Sequence, residues 1–326
     1  MFLIFLIQFL LSIILFKLFI SIPSEYKILD KPNEFLSDDK NTPTSGGIIF
    51  LIIGFISLIF FYLKFSENIL LPNNFFILVG GFFFLGLFSF FDDNKPIHPI
   101  IKLFVQFLIC YLCLTSLKLF DFPLPLKLTM LLSVFIWVYI INISNFVDGS
   151  DGFLSTISLQ YFFSILTFYH LNGSLYNLSS LAVITLTSSI LGFLFFNKPK
   201  AKLFMGDVGS ISIGFIIGYT FLEFFLKGYY AIVLSALAYP ITDCTITIFK
   251  KIKDGYLPWA RLFDYFFLKP IKVNILNKNK VFKLNIICNL IIFLITLCII
   301  TFDLVYLFPL SYIISLIFIN IYQKLN

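Results

Sequence analysis

The sequence predicts an all-α integral membrane protein with about 11 transmembrane helices. Of its 326 residues, 60% are hydrophobic and only 12% are charged, whereas soluble globular proteins carry about a quarter charged residues. Apolar runs of roughly 20 residues, long enough to cross the hydrocarbon of a bilayer, recur from end to end of the chain. We therefore expect a single polytopic domain over residues 1–326, with the lipid bilayer as its solvent.

Each apolar run is bounded by charged residues, proline, asparagine or glycine, which mark the predicted helix ends. In chain order the runs are residues 2–22, 46–63, 75–91, 100–117, 128–144, 153–170, 178–196, 211–226, 230–249, 284–301 and 304–321. The first run contains Lys17 and has neither a basic leading segment nor a small-residue cleavage site. We interpret it as an uncleaved helix rather than a signal peptide.

The lysine distribution predicts the orientation of these helices. With the N-terminus outside, 18 of the 23 basic residues fall in cytoplasmic segments and 4 fall on the opposite side, while Lys17 lies within the first helix. Eleven spans then place the C-terminus and the long segment 250–283 in the cytoplasm. The net charge of +6 does not indicate nucleic-acid binding, because in a membrane protein the placement of lysine matters more than the sum.

Two adjacent carboxylates, Asp92 and Asp93, close the third run at the predicted cytoplasmic face. They repel each other, so a protein keeps both at a membrane edge where water, lysine or a cation offsets their charge. A solvated stop signal is the alternative interpretation of this pair, and the pair by itself does not decide between them.

A second polar segment joins the fifth and sixth runs. It reads Asn142-Ile143-Ser144-Asn145-Phe146-Val147-Asp148-Gly149-Ser150-Asp151-Gly152. Glycine lets the backbone approach a ligand closely, and carboxylate and amide oxygens suit Mg²⁺ or sugar hydroxyl groups. A plain turn would not need two Asn, two Asp and two Gly in so short a stretch, so we predict a ligand-binding loop.

A third polar segment precedes the eighth run. It reads Asn197-Lys198-Pro199-Lys200-Ala201-Lys202-Leu203-Phe204-Met205-Gly206-Asp207-Val208-Gly209-Ser210. The predicted start of a helix favours anions through its free N–H groups and its dipole. A positive-inside loop would explain the lysines but not the Gly-flanked Asp207, so we expect cation, carboxylate and phosphate to meet here.

Together these segments resemble the polyprenyl-phosphate N-acetylhexosamine-1-phosphate transferases of glycosyltransferase family 4, which include the MraY, WecA, TagO and WbpL kinds. Asp92 and Asp93 with the downstream Lys102 and Gln106 also fit that pattern, as does the opening segment with Pro43-Thr44-Ser45-Gly46-Gly47. The resemblance implies an MraY/WecA-like fold with the active site at the cytoplasmic interface. It also implies location in the bacterial inner membrane.

The implied reaction moves a sugar-1-phosphate from a UDP-N-acetylhexosamine to polyprenyl (undecaprenyl) phosphate, giving polyprenyl-diphosphate-sugar and UMP and initiating a cell-envelope polysaccharide. The implied cofactor is Mg²⁺, with Mn²⁺ as the alternative ion, and a homodimer is left open. By resemblance, the residues with roles are Asp92 and Asp93 in catalysis; Asn142, Asn145, Asp148, Asp151, Lys102, Lys202 and Arg261 in substrate binding; and Asp207 and Asp151 in metal binding.

One departure from the family concerns the segment 250–283, the expected donor-recognition loop. It contains no histidine, whereas family members carry a histidine motif there, and Arg261 is our candidate to hold phosphate in its place. We therefore predict a WecA- or WbpL-like donor, with an MraY-type phospho-MurNAc-pentapeptide transferase as the alternative. A polytopic transporter is the competing class, but its carboxylates should lie near the membrane midplane, and only Asp243 falls inside a predicted span, near its cytoplasmic side.

Overall fold

The computed structural model describes residues 1–23, 27–30, 42–65, 75–114, 125–175, 177–258, 260, 264–274 and 277–325. The described residues form thirteen α-helices, a short 3-10 helix at Val305–Leu307 and two very short strands. The helices are α1 Phe2–Ser21, α2 Ile48–Phe65, α3 Phe75–Asn94, α4 Pro99–Cys113, α5 Leu126–Val147, α6 Phe153–Leu171, α7 Leu178–Asn197, α8 Gly206–Leu226, α9 Tyr230–Ala236, α10 Ala238–Lys253, α11 Lys269–Val273, α12 Lys278–Phe302 and α13 Phe308–Lys324. The predicted all-α membrane fold is confirmed.

The predicted apolar runs form helices where they are described. These helices differ in length, and not all of them are long enough to count as membrane crossings. Among the described residues, seven helices are long and apolar enough to cross a bilayer. The pair α9 and α10 makes an eighth if it is counted as one span, while α4 and the Ile48–Phe61 part of α2 are apolar but shorter. The total of eleven crossings stays a prediction.

The predicted single run 230–249 is broken into two helices, α9 and α10, whose axes differ by 66°. Leu237 separates them, and Pro240 lies in the first turn of α10. Proline has no N–H group to donate to a continuous helix, but it fits the first turn, where that N–H has no partner inside the helix. The proline therefore favours a new helix start instead of one straight span.

The helix α8 lies at the centre of the fold, because 16 of its 21 residues are buried. It packs against α5 and α3. Gly218 allows the contact with α5, since a side chain at this position would overlap the ring of Trp137. The Trp137 Nε1–H also donates to the backbone oxygen of Phe215 at 2.9 Å. This close packing fixes the end of α5 relative to the start of α8.

The segment before α2 is tied to the segment before α8. The strands β1, Leu29–Asp30, and β2, Thr42–Pro43, pair antiparallel. The Phe204 N–H donates to the Pro43 oxygen at 2.8 Å, and the Gly46 N–H donates to the Phe204 oxygen at 3.0 Å. These bonds place Ser45, which has a left-handed backbone with φ of 62°, beside the first turn of α8.

The predicted loop 250–283 is partly helical. It contains the end of α10, all of α11 and the beginning of α12, which starts at Lys278 rather than at residue 284. Hydropathy marks only the apolar part of a helix, and the backbone continues in helical form through the lysines that precede it. The same reason explains why α8 begins at Gly206, five residues before the predicted run.

Candidate active site

Three helix ends and the first turn of the neighbouring helix α4 bring the predicted polar residues together. Asp92 and Asp93 are at the end of α3, Asn145 is at the end of α5, and Asp207 is in the first turn of α8. Lys102 reaches them from α4. We call the side of the helical bundle that carries these ends the site face.

Asp93 caps the start of α8 from another helix. Its Oδ1 accepts the Asp207 N–H at 2.9 Å, and its Oδ2 accepts the Val208 N–H at 3.5 Å. Its Oδ2 also accepts the Ser45 hydroxyl at 2.7 Å. The first N–H groups of a helix have no partner within it, and a carboxylate that accepts them also complements the helix dipole.

Gly206 makes this cap sterically feasible. Its φ of 71° lies in the left-handed region, and a Cβ at this position would lie 2.8 Å from the Ser45 nitrogen and would also crowd the Asp93 carboxylate. Only glycine adopts such a conformation without strain while leaving room for the cap. The glycine before Asp207 therefore has a structural reason independent of any ligand.

Asp92 has different surroundings from its neighbour. It is 5% exposed and forms an ion pair with Lys102, while its Oδ1 accepts the Ile97 N–H at 2.6 Å. The same Lys102 ammonium lies 3.3 Å from Oδ2 of Asp207. Lys102 thus bridges Asp92 and Asp207, and one cation faces two carboxylates.

Two asparagine side chains of α5 form hydrogen bonds at or near the cluster. The Asn145 Nδ2 donates to Oδ1 of Asp207 at 2.9 Å and to the Ser210 hydroxyl at 3.0 Å. The Asn142 Nδ2 donates to Oε1 of Gln106 at 2.7 Å, so Asn142 joins α5 to α4. Asn145 is therefore a direct partner of Asp207, whereas Asn142 positions α4, which carries Lys102.

Asp148 stands in the loop after α5 and is half-buried. Burial raises the pKa of its carboxyl well above its usual range, and the carboxylates of Asp207 and Asp93 raise this pKa further. Burial is the larger cause, and the two carboxylates add to it. A bound cation would relieve this repulsion.

The cluster fits Mg²⁺ only in a particular way. No three described His, Cys, Asp or Glu side chains converge closely enough to enclose a metal ion. Mg²⁺, however, keeps several waters and is often held by one or two carboxylates together with substrate phosphates. The excess of carboxylates around Asp207 suits that arrangement.

Asp151 is placed differently from the prediction that pairs it with Asp207. It is 3% exposed. Its Oδ2 accepts the Ala201 N–H at 3.2 Å, and its Oδ1 lies 3.7 Å from Lys278 Nζ. These contacts connect the loop 148–152 to the segment before α8 and to the start of α12. A metal-binding role for Asp151 stays a prediction.

The two predicted basic ligands are not placed within the cluster. The Lys202 side chain is exposed on the segment before α8, where its backbone N–H donates to the Phe196 oxygen at 2.8 Å. Arg261 lies outside the described residues. Phosphate binding by either residue stays a prediction.

Comparison with known proteins identifies the family. A model of "Glycosyl transferase family 4" matches residues 75–225, a range that contains Asp92, Asp93, Lys102, Asn145 and Asp207. These residues, just under half of the chain, are similar to glycosyl transferase family 4. The resemblance to the polyprenyl-phosphate hexosamine-1-phosphate transferases is thereby confirmed.

Curated relatives of similar sequence include phospho-N-acetylmuramoyl-pentapeptide-transferases. The chain is 32% identical over 194 residues to the phospho-N-acetylmuramoyl-pentapeptide-transferase of Streptococcus uberis, covering 53% of this chain and 56% of the relative. It is 34% identical over 203 residues to the protein of that name from Caldanaerobacter subterraneus subsp. tengcongensis, covering 53% and 58%. The chain spans about half the length of the curated relatives it matches.

Three residues of this site make contacts that the sequence analysis did not predict. Ser45 supports the Asp93 cap, and Lys278 faces Asp151. Asn197 accepts the Gly152 N–H at 3.0 Å through Oδ1 and donates to the Leu203 oxygen at 3.0 Å. Ser45 and Asn197 lie within predicted motifs, which was the available signal. Lys278 is one lysine among many in a basic segment, so no pattern distinguished it.

Proposed function

We propose that this protein transfers a sugar-1-phosphate from a UDP-linked sugar to polyprenyl phosphate and releases UMP. The observation that carries the proposal is the position of Lys102 between Asp92 and Asp207, at a helix N-terminus within the family 4 region. A membrane-embedded acceptor and a charged nucleotide donor can meet only at the membrane interface. The clustered helix ends supply polar groups that suit such a location, which supports the proposal.

The geometry divides the roles of the two adjacent carboxylates. Both oxygens of Asp93 accept donors from α8 or Ser45, so Asp93 positions the first turn of α8. Asp92 instead pairs with the ammonium of Lys102. We therefore assign Asp92 as the group that removes a residual proton from the acceptor phosphate. Little base strength is needed, because the second pKa of a phosphate monoester is near 6.

The proposed reaction is a single displacement. An oxygen of the lipid phosphate attacks the β-phosphorus of the donor, and the bond from that phosphorus to the bridging oxygen breaks. The electron pair of that bond leaves with UMP. Lys102 then stabilises negative charge close to Asp207 while Asn145 holds the Asp207 carboxylate in place. Mg²⁺ held at Asp207 would supply further charge neutralisation for the pyrophosphate.

A covalent phosphosugar on an aspartate is the alternative route. It would require a carboxylate to attack an anionic pyrophosphate while a second carboxylate beside it repels the same group. The ion pair of Asp92 with Lys102 also lowers the nucleophilicity of that carboxylate. The contacts of this site therefore favour direct attack by the lipid phosphate.

The names of the relatives favour a UDP-MurNAc-pentapeptide donor over the WecA- or WbpL-like donor that the sequence predicts. Phospho-N-acetylmuramoyl-pentapeptide transfer is the activity named for the relatives in Streptococcus uberis and Caldanaerobacter. We adopt it as the first donor hypothesis. A simpler UDP-N-acetylhexosamine remains the second, because residues 250–283 contain no histidine.

A transporter function receives less support. Asp243 is the carboxylate expected within a span, and it is fully buried. Its oxygens accept hydrogen bonds from Tyr239, Thr247 and Phe266. A carboxylate satisfied in this way is not available to a translocated ion or solute.

The orientation follows from the same proposal. We infer that the C-terminal ends of α1 and α13 both lie on the site face, which puts the N-terminus and the C-terminus on opposite sides of the membrane. We place the site face in the cytoplasm and the N-terminus outside, as the lysine distribution predicts. A bacterial inner membrane is the corresponding location.

The donor is tested by assaying the purified protein with undecaprenyl phosphate against UDP-MurNAc-pentapeptide, UDP-GlcNAc and 6-deoxy UDP-N-acetylhexosamines. The proposal predicts UMP and a lipid diphosphate sugar with at least one donor, and with the pentapeptide donor first. Transfer from the simple sugars alone would select the second donor hypothesis. No lipid product with any UDP-sugar would contradict the proposed function.

A further inference from the structure

Residues 265–268, Tyr-Phe-Phe-Leu, form a buried turn next to the active site. We call this segment the aromatic turn. Its four side chains are 6%, 1%, 0% and 1% exposed, although the turn follows the polar end of α10 and precedes the basic helix α11. Burial of three large rings in a connecting segment requires a fixed partner surface.

Asp243 of α10 anchors the aromatic turn. Its Oδ1 accepts the Phe266 N–H at 3.0 Å and the Thr247 hydroxyl at 3.2 Å, and its Oδ2 accepts the Tyr239 hydroxyl at 2.8 Å. A fully buried carboxylate is stable only with several such donors. The backbone of the turn therefore has a defined position relative to α10.

Lysines of α10 and α11 also contact the turn and the residue Ala260 before it. The Lys251 ammonium donates to the Ala260 oxygen at 2.9 Å and lies 4.7 Å from the centre of the Tyr265 ring. The ammonium groups of Lys250 and Lys269 lie 4.5 and 4.6 Å from the Phe266 ring. Cations over aromatic faces add to the attachment.

The other side of the aromatic turn contacts the loop that carries the predicted ligands. The Tyr265 ring stacks on Phe146 with centroids 5.6 Å apart and planes at 26°. The Phe267 ring stacks on Phe153 with centroids 4.0 Å apart and planes at 18°. Leu268 lies against Gly149 between them.

These contacts flank the loop 148–152 on both sides. Phe146 follows Asn145, the direct partner of Asp207, and Phe153 follows Gly152, whose N–H is held by Asn197. Asp148 lies between the two stacks in the sequence. A shift of the aromatic turn would therefore displace Asn145 and Asp148 together.

We propose that Asp243 and Tyr265 are positioning residues, which hold the aromatic turn as a platform for residues 145–152, the end of α5 and the loop after it. This inference rests on the proposed function, because it assigns the loop to the transfer reaction. It connects residues 250–283, the expected donor-recognition segment, with the carboxylate cluster. Tyr265 acts through Phe146 and needs no contact with substrate.

The test compares Tyr265→Leu, which removes the ring, with Tyr265→Phe, which keeps it. For Tyr265→Leu we expect kcat to fall roughly ten- to a hundredfold, because small displacements of catalytic groups are costly. KM for undecaprenyl phosphate should stay within about twofold, since the acceptor is not held by the turn. Tyr265→Phe should keep near wild-type kcat.

Hydrogen exchange provides a readout that does not depend on activity. Tyr265→Leu should increase deuterium uptake in residues 142–152, where the platform is lost. The matched control is Tyr230→Leu, which removes a Tyr–Phe ring contact with Phe308 at the opposite face. That variant should leave both kcat and the exchange of residues 142–152 unchanged.

The inference is overturned if folded Tyr265→Leu keeps its kcat, or if exchange in residues 142–152 does not change. If Tyr265→Leu cannot be isolated folded, Phe146→Leu removes the same stack from the half-buried partner and must show the same two effects. A wild-type protein without transfer activity would refute the proposed function instead. Hydrogen exchange of residues 142–152 would then test the platform without an activity measurement.

Discussion

The Asp93 carboxylate accepts the backbone N–H of Asp207 at 2.9 Å, so the end of α3 determines where α8 begins. This single bond joins two residues that are 114 positions apart in the sequence. It aims the Asp207 side chain at Lys102 and Asn145. Asp93 therefore supports the start of α8, whereas Asp92 pairs with Lys102.

The first prediction separates the two aspartates by stability. Asp93→Ala removes the cap of α8 and should lower the free energy of unfolding by about 1 kcal/mol. Asp92→Ala should abolish turnover with a smaller effect on thermal stability, since Asp92 does not cap α8 and Lys102 keeps Asp207 as a partner. Thermal unfolding in detergent and UMP release measure the two effects. Equal losses of thermal stability in the two variants would contradict this division of roles.

The second prediction concerns Asp207. Asp207→Asn keeps the shape of the side chain but removes its charge, so turnover should fall roughly a hundredfold or more. Mg²⁺ should raise the melting temperature of the wild type but not of the variant, because binding to the folded state alone stabilises it. Asp254→Asn changes an exposed carboxylate at the end of α10 and serves as the control. Full turnover of Asp207→Asn with unchanged Mg²⁺ dependence would remove Asp207 from the metal site.

The third prediction follows from the raised pKa of Asp148. The folded state retains a proton on this carboxyl at pH values where the unfolded chain has already lost it. This group therefore lowers the stability progressively as pH rises from the unfolded pKa to the folded pKa. Asp148→Asn should increase the melting temperature near neutral pH, with less gain near pH 4, while turnover is lost.

Melting curves from pH 4 to pH 8 without added metal check the Asp148 prediction. The control is again Asp254→Asn, which should run parallel to the wild type. A melting temperature of Asp148→Asn that stays below the wild type across the whole range would show that the Asp148 carboxyl is not destabilising.

The fourth prediction tests the packing that aligns α5 with α8. Gly218→Ala introduces a methyl group where the Trp137 ring lies, and overpacking of this kind costs about 1–3 kcal/mol. Gly80→Ala, at a helical glycine with open space around it, should be neutral or slightly stabilising. The melting temperatures of the two variants test whether α5 and α8 must approach closely. Equal behaviour of the two would show that the close approach of α5 and α8 is not required.

Much of the fold was predictable, because apolar length and polar helix ends are properties of local sequence. The motif residues Asp92, Asn145 and Asp207 lie together because each stands at a helix end or first turn on the same face. The break at Leu237 was not predicted, since hydropathy continues across it and Pro240 alone does not distinguish a kink from a new helix.

Other features depend on three-dimensional contacts that no local pattern encodes. Asp92 and Asp93 are chemically identical neighbours, and only the N–H groups of α8 separate their roles. The aromatic turn could not be predicted either, because phenylalanine is abundant throughout the chain. Phe266 and Phe267 have no distinctive context in the sequence. The buried position of Asp151 depends on the segment before α8 and on Lys278.

The most direct test of the proposed transfer is the dependence of UMP release on the lipid acceptor. Delipidated protein is supplied with UDP-MurNAc-pentapeptide and Mg²⁺, with or without undecaprenyl phosphate, and UMP and lipid product are quantified together. The proposed one-step transfer predicts UMP only when the acceptor is present, in equal amounts with the lipid diphosphate sugar. Stoichiometric UMP without acceptor, together with a sugar-phosphate adduct on Asp92 or Asp93, would contradict it.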